Sequence, residues 1–335
     1  MVRIAVLGAT GYTALELLKI LARHPQAEVT TLTSRQEGRP HLASVHPQLN
    51  GLFDLHLEDL PLEKVAERAD CVFSCLPHGA SAASVHQLAR LGCRVVDFSA
   101  DYRLGDLATY QQWYDEHHPD PDGLVEAPYG LPELFADSIA PANIVANPGC
   151  YPTSAILALA PLLKAGLISG EDLIVDSKSG VSGAGRTPKL TTHFPECNES
   201  LAAYNVGQHR HTPEIEHVLS VVAGRKIELI FTPHLIPMDR GILTTAYARP
   251  STAVTSAQLI ETLRDFYRDQ PFVRVVDGLP ATKHVSGTNF CDVTARVVRD
   301  RVVTISCIDN LIKGASGVAV QNMNLMYGYP VTTAL

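Results

Sequence analysis

The chain has 335 residues, 46% hydrophobic and 19% charged, and its 27 basic against 35 acidic side chains give a formal net charge of −8. That length suggests about two domains with well-formed cores, and the acidity argues against a protein held to nucleic acid by a basic face. No apolar run reaches the roughly 18–20 residues of a membrane span, and the N-terminus carries no signal-peptide cleavage site, so a cytoplasmic protein without membrane or nucleic-acid partners is expected.

Taken in chain order, residues 2–7 (VRIAVL) predict a short buried strand that stops at Gly8, and residues 12–23 carry apolar positions at helical spacing. EVTTLTS, DCVFSCL (70–76) and RVVDFS (94–99) read as further strands, the last two separated by a helical stretch around 79–91. Continuous apolar strands alternating with helices predict βαβ units and a parallel sheet buried on both faces. NIVANPGC (143–150) is one more strand-like run, ending in a Pro-Gly turn.

Beyond Cys150 the texture changes. YPTSAILALAPLLKAG is a helix with Pro near its start and Gly at its end. It is followed by DLIVDSKSG, the Gly/Ser-rich SGVSGAGRTP and a helical HTPEIEHVLSVVAG. IELIFTPHLIP and GILTTAYARP face each other across MDRG and predict an antiparallel pair; DVTARVVRDRVVTISCID predicts a hairpin turning at Arg299-Asp300-Arg301. A last helix, about 313–327, is expected to return to the first domain.

Several residues carry chemistry. Gly8, Ala9, Thr10, Gly11 and Tyr12 join the first strand to the first helix, where glycine and free helix N–H groups can cradle a pyrophosphate. The spacing is GxxGxxA rather than GxGxxG, so its place at the head of a βαβ array carries the dinucleotide reading. The second strand ends at Ser34 and Arg35 instead of an acidic residue, which favours the 2′-phosphate of NADP(H).

Seven scattered cysteines form neither a zinc pattern nor a disulfide framework, and six of them (Cys71, Cys75, Cys93, Cys197, Cys291, Cys307) are expected in the core. Cys150 differs, because it immediately precedes a helix whose N–H groups and dipole would stabilise a thiolate. A nucleophilic thiol needs a proton acceptor, and GQHRHTPEIEH offers His209, His211 and His217, the first two just ahead of a helix beginning at Thr212-Pro213. No third ligand accompanies them at metal spacing, so no metal is expected. Arg186 or Lys189, beside the Gly-rich stretch, are available to an anionic group. Asp101 and Arg103 lie past a strand end, either as an anion-binding element or as a surface ion pair.

GATGYTALEL, SCLPHGAS, VVDFSADYRL, YGLPEL, ANPGCYPT, KSGVSGAGR, YNVGQHRHTPEI and DNLIKGASGVAVQNMN occur in order from Gly8 to Asn324. Together they resemble the N-acetyl-γ-glutamyl-phosphate reductase family of arginine biosynthesis. The resemblance implies an α/β fold related to aspartate-semialdehyde dehydrogenase. It comprises a Rossmann-like, mostly parallel NADP-binding domain (1–149 with a C-terminal helix, 311–335) and an α+β catalytic and oligomerisation domain with a largely antiparallel sheet (150–310). It implies NADP(H), a small acyl-phosphate substrate and a homodimer or homotetramer. Cys150 would be the acyl-accepting nucleophile and His209 the acid/base, with His211 in reserve. Pro77, Gly79, Gly180 and Asn310 would lie along the cofactor; Arg103, Asn147, Ser179, Arg186 and His211 would lie at the substrate. The nearest alternatives are an aminoadipyl-phosphate reductase of lysine biosynthesis, one methylene longer in its substrate, and a catalytically silent NADP-binding redox sensor.

Overall fold

The computed structural model describes residues 1–115 and 117–335, which divide into two units: Met1–Pro148 with Ala315–Leu335, and Gly149–Gly314. In the first unit, β1 (Val2–Leu7), β2 (Ala27–Thr33), β3 (Leu57–Glu58), β4 (Cys71–Ser74), β5 (Arg94–Asp97) and β6 (Ile144–Ala146) form one sheet in the order 3-2-1-4-5-6. All five pairings are parallel. β4 and, from Ile4 to Leu7, β1 are buried on both faces, as their apolar runs require. The strand order reverses between β1 and β4, and in open α/β sheets ligands bind outside the strand C-termini at that switch point. The segment Ala315–Leu335 belongs to this unit. Ser316 Oγ donates to the Thr13 carbonyl and the Tyr327 hydroxyl to that of Asp70, both at hydrogen-bond distance.

The second unit holds β7 (Leu173–Gly180), β8 (Ala202–Ala203), β9 (Leu229–Ile236), β10 (Ile242–Ala248), β11 (Val273–Val275), β12 (Cys291–Val298) and β13 (Arg301–Ile308) in the order 11-12-13-10-7-9-8. The sheet is largely antiparallel, with parallel pairings only at β11–β12 and β7–β9. The expected pairing across MDRG is not formed. β7 lies between β9 and β10, parallel to the one and antiparallel to the other, so residues 237–241 form a crossing instead of a hairpin turn. The crossing passes over the end of β7, with Val181 N–H on Met238 O and Gly180 N–H on Gly241 O. A Cβ at Gly180 would collide with the Asp239 carbonyl. The hairpin β12–β13 is formed, and Arg301 is already paired with Val298, which leaves Arg299 (φ 54°) and Asp300 as the turn.

The helix Cys150–Lys164 starts one residue earlier than its sequence suggests, and thirteen of its fifteen residues are buried. It packs on one face of the sheet, where Ser154 Oγ meets Ser306 Oγ at 2.8 Å. Pro161 inside the helix has no N–H for the Leu157 carbonyl, and the Tyr267 hydroxyl supplies that bond at 2.7 Å. A hydrogen bond of this kind is worth about 1 kcal/mol, and an unmet buried carbonyl costs more.

Cys71, Cys93, Cys291 and Cys307 are buried as expected, and Cys75 is largely covered. Cys197 is not in the core. It ends a four-residue helix, Phe194–Cys197, inside a surface excursion over residues 185–208 that exposes Leu190, Phe194 and Leu201.

Candidate active site

Cys150 occupies the first turn of its helix, with Gly149 as an extended N-cap that offers no side chain. Its own surroundings are tight on one side: a Cβ at Gly314 would stand 2.8 Å from Cys150 Cβ. Gly314 lies in a π-turn, Ile312–Ser316, an irregularity that recurs at functional sites. Burial pushes the Cys71 thiol up beyond use and those of Cys75 and Cys307 up to about 12. Cys150 is only partly buried and sits at a helix N-terminus.

The N-cap N–H of Gly149 does not go to water. It donates to Glu214 Oε1 at 2.8 Å, and Glu214 is only 1% exposed. The other carboxylate oxygen stands 4.0 Å from His211 Nε2. His211 and Glu214 share the first turn of the helix His211–Ala223, which begins at His211 rather than at Thr212. The i,i+3 spacing in HTPE puts both on one helix face. The sequence reading overlooked Glu214, and that spacing was the available signal. A carboxylate beside the cysteine's helix end disfavours a bare thiolate, and a proton on His211 offsets it.

His209 precedes that helix by two residues. Its Nδ1 accepts the His211 N–H at 3.1 Å, which leaves Nε2 carrying the proton of the neutral ring. The ring packs among Tyr151, Tyr204, Phe231 and His211, with centroids 4.8–5.7 Å away. Burial in this box, with Arg210 next to it, holds His209 down to about 4. Tyr204 donates to the Tyr151 hydroxyl, which in turn donates to the His234 carbonyl; burial raises both phenols, Tyr204 to about 12, so each stays a hydrogen-bond donor.

Other expected site residues in this unit divide into two groups. Arg186 and Lys189 are exposed on the 185–208 excursion. Ser179 and Asn310 are buried. Asn310 is a brace: its oxygen accepts Gly241 N–H at 2.8 Å and its amide donates to Ser182 Oγ at 3.0 Å, holding the crossing against the turn after β7. Gly180 lacks a side chain because of the same crossing, and no ligand is needed to explain it.

In the first unit, Gly8 (φ +70°) and Gly11 play different parts. A Cβ at Gly8 would lie 2.9 Å from the Cys75 carbonyl, so the fold itself requires that glycine. At Gly11, N-cap of the helix Tyr12–Leu21, a Cβ would meet nothing nearer than 3.9 Å, and no side chain caps the helix. The free helix end and the open space over it fit a pyrophosphate. Ala9 is buried and fixed, its N–H on Thr33 O and its carbonyl on His46 Nε2, while Thr10 and Tyr12 are partly open. Ser34 and exposed Arg35 follow the C-terminal end of β2, where a 2′-phosphate would lie. Pro77 and Gly79 are exposed on the turn after β4.

Asp101 and Arg103 are not a surface pair: they are 0% and 5% exposed. Arg103 Nε donates to the Asn147 carbonyl at 2.8 Å and Nη2 to that of Phe98 at 2.7 Å, which fixes its charge at the ends of β5 and β6. Asn147, expected at the substrate, is a fully buried brace between Ala315 O and Asn322 Nδ2. Among the described residues, no cluster of His, Cys, Asp and Glu is arranged to hold a metal ion. No helix there is long and apolar enough to cross a membrane.

The comparisons with known proteins agree with this architecture. A family model for the semialdehyde dehydrogenase NAD-binding domain matches residues 3–142, and one for the semialdehyde dehydrogenase dimerisation domain matches residues 150–310. Solved structures share the fold. Aspartate semialdehyde dehydrogenase II of Vibrio cholerae, complexed with ASA, superposes with TM-score 0.75 at 17% identity over 98% of both chains. The Candida albicans aspartate semialdehyde dehydrogenase with NADP also gives 0.75, at 15% identity over 98% of both chains. Fold and family models therefore define a nucleotide-dependent oxidoreductase of the semialdehyde dehydrogenase class. Among its relatives, the N-acetyl-γ-glutamyl-phosphate reductase of Rhodopirellula baltica is 56% identical over 99% of this chain and 98% of its own length. That of Geotalea daltonii is 51% identical over 100% and 98%. The chain belongs to the N-acetyl-γ-glutamyl-phosphate reductase family.

Proposed function

We propose that this protein reduces N-acetyl-γ-glutamyl phosphate to N-acetyl-glutamate 5-semialdehyde and phosphate, in arginine biosynthesis, with NADPH as reductant. The carrying observation is the half-exposed Cys150 at a helix N-terminus, flanked by the Glu214–His211 pair. Relatives at 49–56% identity bear the glutamyl name, which favours this substrate over the aminoadipyl one.

Cys150 Sγ attacks the acyl carbon, the carbon–oxygen bond to phosphate breaks, and a thioester forms. NADPH, when bound, supplies the hydride that reduces this thioester. The oxygen of the resulting thiohemiacetal is stabilised by the His209 Nε2–H. His211, with Glu214 as counter-ion, takes the thiol proton at the start and returns one as the carbon–sulfur bond breaks. This division departs from the expectation of His209 as acid/base. It rests on the His209 Nδ1 bond, which leaves no lone pair at Nε2 to accept a proton. Arg35 and Ser34 would hold the 2′-phosphate, the 8–12 turn the pyrophosphate, and Arg103 or Arg186 an anionic group of the substrate.

NADP⁺ reduction in the reverse direction, with phosphate and three aldehydes, tests the reading. Phosphate-dependent turnover is expected with N-acetyl-glutamate semialdehyde and not with its aminoadipate homologue or aspartate semialdehyde. Turnover mainly with another aldehyde moves the substrate, and none with any, despite NADPH binding, points to the silent sensor.

The outer face of the second sheet bears on assembly. Ile230, Ile174, Tyr247 and Val303 stand in register across four strands, and the first three are 60%, 39% and 40% exposed. Such an apolar row needs a cover, and a second copy of the same face supplies one about a two-fold axis. A homodimer or larger homo-oligomer is expected in sedimentation; a single-chain mass at micromolar concentration refutes it. The cytoplasm suits a chain whose seven cysteines are all free.

A further inference from the structure

The turn after β4 carries Pro77 and Gly79, and what fixes it lies in the next strand–loop segment. Asp101 Oδ1 accepts Gly79 N–H at 2.8 Å and Oδ2 accepts Ala82 N–H at 3.0 Å, where the helix Ala82–Arg90 begins. That helix has no side-chain cap of its own, so a carboxylate from 20 residues away fills the role. Three more bonds bind the same segments. Ala100 N–H donates to His78 Nδ1 at 2.8 Å, and Ser81 Oγ donates to Asp97 Oδ1 at 2.6 Å. Ser99 Oγ and Ser99 N–H complete the shell of Asp97, and the Tyr102 hydroxyl reaches the Ala82 carbonyl. Asp97 and Asp101 are both wholly buried, whereas residues 77–80 are exposed; Asp101 binds that turn at Gly79, and Asp97 binds Ser81 at its buried end. Two buried carboxylates are costly. Asp101 directs one oxygen to the exposed turn, at its left-handed glycine (Gly79, φ +77°), and the other to the start of the following helix, so that cost is spent on the turn's shape.

We propose that Asp101, seconded by Asp97, is a positioning residue for the cofactor: it holds the Pro77–Ala82 turn in the conformation that receives NADPH. The proposal rests on the reading above that this turn lines the cofactor. A turn that spends only part of its time in the receptive shape binds more weakly in proportion. Asp101→Asn turns one acceptor into a donor facing an N–H. It is expected to raise KM and Kd for NADPH about tenfold or more while kcat changes less than about threefold and KM for the acyl phosphate stays put. Ser81→Ala removes the Asp97 tie, together with the Ser74–Ser81 hydroxyl contact behind it, leaves both Asp101 bonds in place, and is expected to shift KM for NADPH by about threefold in the same direction; it decides the matter if Asp101→Asn does not fold. Hydrogen exchange of the wild-type protein with and without NADPH separates the two layers. Protection of residues 77–90 by NADPH is expected, and its absence overturns the assignment of the turn to the cofactor. Protection with unchanged NADPH affinity in the variants overturns the positioning role, as does a loss that falls equally on kcat and both KM values.

Discussion

Replacing Cys150 with serine is expected to cost at least about a thousandfold in kcat, with the Kd for NADPH within about twofold of the wild type. The helix terminus and its dipole are worth at most about 2 kcal/mol to an anion. That suffices to tip a thiol toward thiolate near neutrality and falls far short of ionising an alcohol. The thiols of Cys75 and Cys307 are held up at about 12 by burial, Cys71 higher still, and Cys93 is raised by the same cause. Nor is the cofactor expected to respond, since the residues assigned to its phosphates lie on the 8–12 turn and after β2, not on the Cys150 helix. Steady-state turnover and a fluorescence titration with NADPH, run on the same preparation, read both halves. Retention of even a tenth of the activity would sink the thioester route, and a large loss of NADPH affinity would mean that the substitution acts by disturbing the fold.

How much of this was legible in the sequence depended on the distance over which each cause acts. β1 and β4 announce themselves because burial on both faces makes all but one residue of each apolar, a local signature. Cys150 announces itself likewise, since a strand, a Pro-Gly turn and a helix start are adjacent in the chain. Which strands are neighbours is not local. Residues 227–250 look like a hairpin because both arms have strand character and the link is short. Yet β7, some fifty residues earlier, occupies the gap between them. The same crossing explains Gly180 and Asn310, which the family resemblance assigns to the cofactor and which the structure sets against the 238–241 backbone. Asn147 follows suit, its partners Ala315 and Asn322 lying more than 160 residues away. Cys197 was misplaced because small apolar residues near a proline suit a short surface turn as well as a core.

The histidines offer the sharper test of the proposed chemistry. His211→Asn is expected to lower kcat by about 10²–10⁴, the usual worth of a positioned acid/base, and His209→Asn by about tenfold to a hundredfold, because an asparagine amide still donates a hydrogen bond. The pH dependence separates their roles further. His209, held down to about 4 by burial and by Arg210, is neutral across the physiological range, so its own titration contributes no break near pH 6.5. Its protonation begins only as the pH falls toward 4. The ring then loses the Nδ1 acceptor for His211 N–H and carries a charge among Tyr151, Tyr204 and Phe231. The folded ring binds its proton less readily than the unfolded one, so what it contributes to stability is present above about pH 6.5 and is lost as the pH falls toward 4. Removing it should therefore flatten the acid side of the wild-type stability curve, which urea unfolding at pH 4 to 7 would register. A loss from His209→Asn exceeding that from His211→Asn would return the acid/base role to His209 and leave Glu214 as the cap of the Cys150 helix alone.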